Sequence, residues 1–212
     1  MQPTTDRIGG FEWQDPNTVA KFLAREDKSE HELAFEHLVS ILPFDKEASI
    51  RILDLGAGAG AFSSVLLDAF PNSSATLADF SSSMMEAGAD NLRRFDGRYC
   101  YVELDMNGAD WPADLKGPFD VVVSSRAIHH FYNDQKEVIF RNAFERMAPG
   151  GVVANWDHIR KADNDYRPGS AHGLTEASEA DQLDILRRAG FADVHTAHRS
   201  GVKLGLFMGR KP

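Results

Sequence analysis

The sequence predicts an α/β fold: a seven-stranded, mostly parallel sheet with helices on both faces and an antiparallel hairpin at its C-terminus. Three observations carry this reading. From Ile50 onward, short apolar runs alternate with helix-length segments, the pattern of a parallel sheet wrapped by helices. The first run, inside RILDLGAGAG (Arg51 to Gly60), is apolar on both faces and opens into three glycines at every second position. The last two runs are separated only by HRSGV (His198 to Val202), and a parallel crossover needs about a dozen residues, so these two strands must be antiparallel.

The elements follow in order. Between Asn17 and Leu42, Val19, Phe22, Leu23, Leu33, Phe35, Leu38, Val39 and Ile41 recur with helical spacing, broken by the charged AREDKSEHE, which predicts one or two helices closed by Pro43. SIRILDLG is the first strand. A helix over Ala61–Phe70, a strand over Ala75–Asp79, a helix over Ser82–Arg94 and a strand over Tyr99–Leu104 come next. FDVVVSS (from Phe119) is a strand, Asp134–Met147 a helix, APGG (Ala148 to Gly151) a turn and VVANW (Val152 to Trp156) a strand. The polar residues 158–174 are long for a simple connection and read as a lid or substrate loop. A helix over Glu176–Ala189 closes at Gly190, and strands over Ala192–Ala197 and Val202–Met208 finish the chain. Residues 1–48 are thus an N-terminal helical extension and 49–212 the main domain.

Composition narrows the function. The 212 residues are 42% hydrophobic and 26% charged, suited to one globular core. No apolar run approaches the roughly 20 residues that cross a bilayer, and MQPTTDRIGG has no export pattern, so the cytoplasm is expected. Cys100 is the only cysteine, which excludes an internal disulfide and a cysteine-built metal cage. A formal charge of −9 disfavours nucleic acid, whose phosphates demand many lysines and arginines.

The glycine turn by itself serves two ligand classes, since GAGAGA from Gly56 also satisfies the dinucleotide fingerprint if Ala61 stands for the third glycine. Further residues separate them. Asp54 precedes Gly56, Gly58 and Gly60; Asp79 ends the second strand; Asp105 follows the third, in YVELDMN. With the late hairpin, these make the sequence resemble the class I S-adenosylmethionine-dependent methyltransferases of the small-molecule type, most clearly from Ile50 to Asp157. The resemblance implies a Rossmann-like sheet and S-adenosylmethionine as cofactor, with Asp54, Gly56, Ala57, Gly58 and Gly60 in the first motif. It implies Asp79 on the ribose hydroxyls with Phe80 beside it, Asp105 at the adenine amino group, Met106 against the ring, and Ser125 closing the fourth strand. It also implies that residues 1–48 cover the cofactor and substrate site.

Physical chemistry supports these residue types independently. Glycine lets a backbone approach a ligand closely, a carboxylate accepts strong hydrogen bonds from both hydroxyls of a ribose, and open parallel sheets bind ligands beyond the carboxyl ends of their strands. Each also has a structural explanation: a tight turn for the glycines, helix capping for Asp79, turn chemistry for Asp105, packing for Met84 and Met85.

Methyl transfer from a sulfonium chiefly requires alignment of a nucleophile and removal of its proton. His129 and His130 follow the fourth strand and are candidate bases; Asp157, followed by His158, lies near the same edge. Arg126, Tyr132 and Trp156 are candidates to shape an acceptor pocket. His172, His195 and His198 carry no clear signal. The fourth strand ends VSSRA without an acid, against a magnesium-dependent subclass, and the Asn/Asp-Pro-Pro-Tyr signature of amino-methylating enzymes is absent, so no metal and a small-molecule acceptor are expected. The competing readings are an NAD-dependent oxidoreductase and a non-catalytic S-adenosylmethionine-binding protein.

Overall fold

The computed structural model describes residues 11–25, 28–108, 111–113, 115–160 and 175–212. Most of the 158–174 segment, including His172, lies outside the described residues. Seven strands among the described residues form one sheet: β1 (Arg51–Leu55), β2 (Ser74–Asp79), β3 (Tyr99–Glu103), β4 (Phe119–Ser125), β5 (Met147–His158), β6 (Ala192–Ser200) and β7 (Leu204–Arg210). Their order is β3-β2-β1-β4-β5-β7-β6. The first five pair in parallel, and β7 runs antiparallel to both β5 and β6.

Six α-helices among the described residues accompany the sheet: α1 (Pro16–Arg25), α2 (Lys28–Ile41), α3 (Ala61–Ala69), α4 (Ser82–Leu92), α5 (Asn133–Glu145) and α6 (Glu179–Arg188). The N-terminal ends follow local chemistry. Asp15 Oδ2 accepts from the Thr18 N–H at 3.1 Å while Pro16 takes the first helical position, and Ser81 Oγ accepts from the Met84 N–H at 3.0 Å ahead of α4.

Strand alternation divides the apolar residues into two cores. Ile52, Leu77, Val121, Val123, Ala154 and Trp156 face Phe35, Leu38, Phe62 and Leu66 of α2 and α3. Leu53, Leu55, Ala78, Val122 and Val153 face Ile139, Phe140, Ile185 and Leu186 of α5 and α6. Helices on both faces explain why the central strands carry few polar residues.

Some boundaries differ from the sequence reading, each for a local reason. APGG lies within β5: Met147 pairs with Phe119 and Val152 with Val121, and the residues between bulge outward through Gly150 at φ 80°. Met147 therefore belongs to the sheet, not to α5. The last helix starts at Glu179, because Ala177 is held in a bridge to Ile159 and Ser178 caps the helix by accepting from the Asp181 N–H at 3.1 Å. β7 starts at Leu204, after a turn containing Gly201 at φ 57°. Among the described residues no helix is long and apolar enough to cross a membrane.

Candidate active site

β1 and β4 lie side by side, but the chain leaves β1 toward β2 and leaves β4 toward β5 on the opposite side. Their connections diverge and leave a crevice at the carboxyl ends, where this architecture binds ligands. A cavity of about 290 Å³ occupies that place. Asp54, Gly56, Ala57, Gly58, Asp79, Phe80, Met106 and Ser125 all line it, together with His129 and His130.

The three glycines have separate duties. All adopt left-handed backbone, at φ 65°, 53° and 77° for Gly56, Gly58 and Gly60. A Cβ on Gly56 would stand 2.3 Å from Ala127 Cβ, so this glycine lets the loop after β4 come close. A Cβ on Gly60 would stand 2.6 Å from Leu92 Cδ1; Gly60 is not in the cavity wall and serves the packing of α3 against α4. Around Gly58, beyond its chain neighbours, the only atom of the described residues within 4 Å of a Cβ position is Met84 Sδ, at 3.8 Å, and Gly58 lines the cavity.

Two side chains hold this loop. Asp79 Oδ2 accepts from the Gly58 N–H at 2.7 Å and its Oδ1 from the Ser81 N–H at 2.9 Å. The Tyr101 hydroxyl donates to the Gly58 carbonyl at 2.9 Å. Burial, with Asp54 and Asp79 nearby, pushes that phenol well above its ordinary range and keeps it a donor. Ser81, not Asp79, caps α4.

Asp54 is 1% exposed. Its Oδ2 accepts from Ser63 Oγ at 2.7 Å, whereas its buried Oδ1 has no hydrogen-bond partner among the described residues. Burial pushes the carboxyl up to about 7, Asp79 adds to the rise, and the Ser63 hydrogen bonds oppose it. A lone buried carboxylate oxygen beside a cavity is costly unless something polar or cationic meets it.

Asp105 is outside the cavity wall. Its exposed carboxylate accepts from the Asn107 N–H at 2.9 Å in an Asx turn, which is the turn chemistry the sequence also allowed. Met106 next to it reaches the cavity with Leu104, and Met84, read as packing, does so as well.

At the far side, His129 Nδ1 lies 2.7 Å from Asp157 Oδ1. Asp157 is fully buried and behind the cavity wall, so it touches the histidine and not the cavity. Burial raises its carboxyl, but His129 and His158 outweigh that effect and hold it at about 2. The His158 N–H also donates to Asp157 Oδ1, at 2.8 Å. The rings of His130 and His158 lie 4.1 and 4.6 Å from the His129 ring, centre to centre, and both line the cavity. No group of three or more metal-ligating side chains is present among the described residues. Trp156 belongs to the opposite core, and Tyr132 is exposed outside the cavity; neither shapes it.

Sequence reasoning missed Trp13, and it did not place Phe22 and Leu23 in the cavity wall. They come from a short 3-10 helix (Phe11–Gln14) and from α1. The segment is fastened to the start of α4: Ser81 Oγ donates to the Trp13 carbonyl, Ser83 Oγ to the Gln14 carbonyl at 2.7 Å, and Gln14 Nε2 to the Phe80 carbonyl at 2.8 Å. An aromatic residue ahead of a capped helix was the available signal.

Residues 53–153 match the family model described as a methyltransferase domain. Just under half of the chain is therefore similar to a methyltransferase domain. The chain is 27% identical to the tetracenomycin polyketide synthesis 8-O-methyl transferase TcmO of Streptomyces glaucescens, over 96% of this chain and 61% of TcmO. Among solved structures it resembles PigF with SAH, at TM-score 0.72 and 22% identity, over 98% of this chain and 63% of PigF. It also resembles human N-acetylserotonin methyltransferase in complex with SAM, at TM-score 0.69 and 17% identity, over 94% and 57% of the two chains. At those identities the structural likeness concerns the fold. The chain spans less than two thirds of the length of each of these three proteins.

Proposed function

We propose that this protein transfers a methyl group from S-adenosylmethionine to a small organic acceptor, at oxygen or nitrogen. The observation that carries the reading is one cavity bounded on one side by the Gly58 opening and the lone Asp54 Oδ1, and on the other by the His129–Asp157 pair.

The residues present fit the cofactor. Asp54 Oδ1 is a buried acceptor suited to an ammonium group, and the space a Gly58 side chain would fill admits a ligand against backbone. Asp79, which accepts from the Gly58 and Ser81 N–H groups at the cavity wall, is a carboxylate of the kind that accepts from ribose hydroxyls. Phe80, Met84, Leu104 and Met106 offer an apolar slot for a purine, and Asp105 shapes the turn that presents Met106. Ala57 and Ser125 complete the wall. We assign the N-terminal segment as a cover, with Trp13 closing the cavity.

When bound, S-adenosylmethionine supplies a methyl group on a sulfonium, whose sulfur is already an excellent leaving group. What remains for the chain is to orient the acceptor and accept its proton. Asp157, ionised and buried, holds His129 by Nδ1 and orients the ring at the cavity wall, where we assign the imidazole to the acceptor's proton. Asp157 is therefore a positioning residue. His130 and His158 border the same space. The name of TcmO, an O-methyl transferase, supports oxygen as the methylated atom.

The exposed single cysteine, Cys100, suits a reducing compartment, and the cytoplasm is the location we propose. The functional test is incubation with methyl-labelled S-adenosylmethionine and pooled phenols and amines. Label in a small organic product supports the proposal; cofactor binding without label in any pool reduces the protein to a binder.

A further inference from the structure

We infer that Arg126 selects the acceptor, and that the acceptor carries a carboxylate on a flat aromatic frame. The inference rests on the methyl-transfer reading above and names the substrate class for it.

The first observation is backbone strain beneath a functional side chain. Arg126 has φ 50°, left-handed backbone that a residue with a Cβ adopts only when its surroundings impose it. Its N–H donates to the Trp156 carbonyl at 2.8 Å, which fixes the residue to the end of β5. At Gly56, Gly58 and Gly60 the same chain meets positive φ with glycine. At 126 it keeps an arginine instead, so the side chain is retained against the preference of the backbone.

The second observation is its place. Arg126 is the only lysine or arginine among the described residues lining the cavity that also holds His129. Its guanidinium carbon lies 5.5 Å from the centre of the Phe22 ring, a cation–π arrangement that steadies the planar fork.

The third is the distribution of charge and shape. The cavity carries Asp54 and Asp79 at the carboxyl ends of β1 and β2, and Arg126, His129, His130 and His158 at those of β4 and β5. An anionic acceptor is repelled by the two acids and attracted by Arg126, which orients it with its carboxylate toward the guanidinium. A guanidinium binds a carboxylate through two parallel charge-assisted hydrogen bonds, so geometry as well as charge is read. Trp13, Phe22 and Phe131 line the same cavity and suit a flat ring.

The test measures binding to the protein saturated with S-adenosylhomocysteine, using 4-hydroxybenzoate and 4-hydroxycinnamate against their uncharged amides. At least one acid should bind about tenfold or more tightly than its amide. Arg126→Gln should abolish that preference and leave S-adenosylhomocysteine affinity unchanged. Arg126→Gly should abolish it too, with a melting temperature no lower than wild type, because glycine relieves the strained φ. Equal or undetectable binding of acids and amides overturns the inference, as does a preference that survives in Arg126→Gln. Loss of S-adenosylhomocysteine affinity in Arg126→Gln also overturns it, by assigning the guanidinium to the carboxylate of the cofactor. Failure of the wild-type protein to bind S-adenosylhomocysteine at all is a different result and removes the parent reading.

Discussion

His129 Nδ1 and Asp157 Oδ1 are 2.7 Å apart, and the carboxylate, wholly buried, contacts the imidazole from the side away from the cavity. An acid in that position fixes the ring and its tautomer without reaching the acceptor. His129→Ala should lower turnover by a factor of about a hundred to ten thousand while cofactor affinity stays nearly unchanged. Asp157→Asn should lower turnover less, and the double variant should lose little beyond His129→Ala, since the two act as a unit. The His129→Ala loss should shrink as pH rises and the acceptor ionises unaided. Parallel pH profiles for wild type and His129→Ala, measured with an identified acceptor, would contradict a base at this position.

Asp54 and Asp157 should affect stability in opposite directions as pH changes. The Asp54 carboxyl is raised from 3.8 to about 7, so the folded chain holds its proton where the unfolded chain has lost it, and stability falls as pH rises across that window. The Asp157 carboxyl is lowered to about 2, so its contribution is present above about 4 and lost as pH falls toward 2. Asp54→Asn should flatten the first slope and Asp157→Asn the second in denaturant titrations at stepped pH. A further consequence concerns the ligand: a cationic group meeting Asp54 Oδ1 favours the ionised form, so binding below pH 7 should release a proton. Calorimetry in two buffers of different ionisation enthalpy reads that release, and identical heats would argue against it.

Gly58 and Gly60 should fail in different ways when substituted. Gly60→Ala places a methyl group 2.6 Å from Leu92 Cδ1 and forces alanine into φ 77°, which should cost about 2–4 kcal/mol of stability. Gly58→Val has room at its Cβ but is strained at φ 53°, so it should lower the melting temperature and, in the folded chain below that temperature, abolish cofactor binding by filling the cavity. Circular dichroism melts and binding titrations on both variants separate the two roles. A Gly58→Val protein that binds normally would place the ligand elsewhere.

Asp79 organises the loop and is also assigned to the ribose, so its substitutions are graded. Asp79→Ala should weaken the cofactor by about 1.5–3 kcal/mol, and Asp79→Asn by less, because one amide oxygen can still accept from the Gly58 N–H. Tyr101→Phe, which removes only the bond to the Gly58 carbonyl, should weaken it by about 0.5–1.5 kcal/mol. Equal affinity in wild type and all three variants would return Asp79 and Tyr101 to purely structural roles.

The sheet was legible in the sequence because its central strands are continuous apolar runs and α3, α4 and α6 each follow a glycine or a capping serine. The hairpin was legible from its short connection alone. The differing boundaries arise where tertiary pairing overrides local preference: Met147 extends β5 by pairing with Phe119, and Ala177 is drawn into a bridge with Ile159. In the site, residues at strand ends were readable because the architecture sends those ends to one crevice. Gly60 and Asp105 match a motif in sequence but face packing and a turn in space, a distinction set by neighbours such as Leu92 and Asn107 that spacing does not reveal. Trp13 reaches the cavity because Ser81 donates to its carbonyl and Ser83 to that of Gln14, some seventy positions away, which no local pattern encodes.

The central claim is that the crevice between β1 and β4 was built for the adenosyl cofactor of methyl transfer and not for a dinucleotide. Calorimetric titration of the wild-type protein with S-adenosylhomocysteine and with NAD tests it most directly. S-adenosylhomocysteine should bind at least about a hundredfold more tightly, a difference of about 2.7 kcal/mol, and Gly58→Val should lose this binding. NAD binding as tight as or tighter than S-adenosylhomocysteine would contradict it.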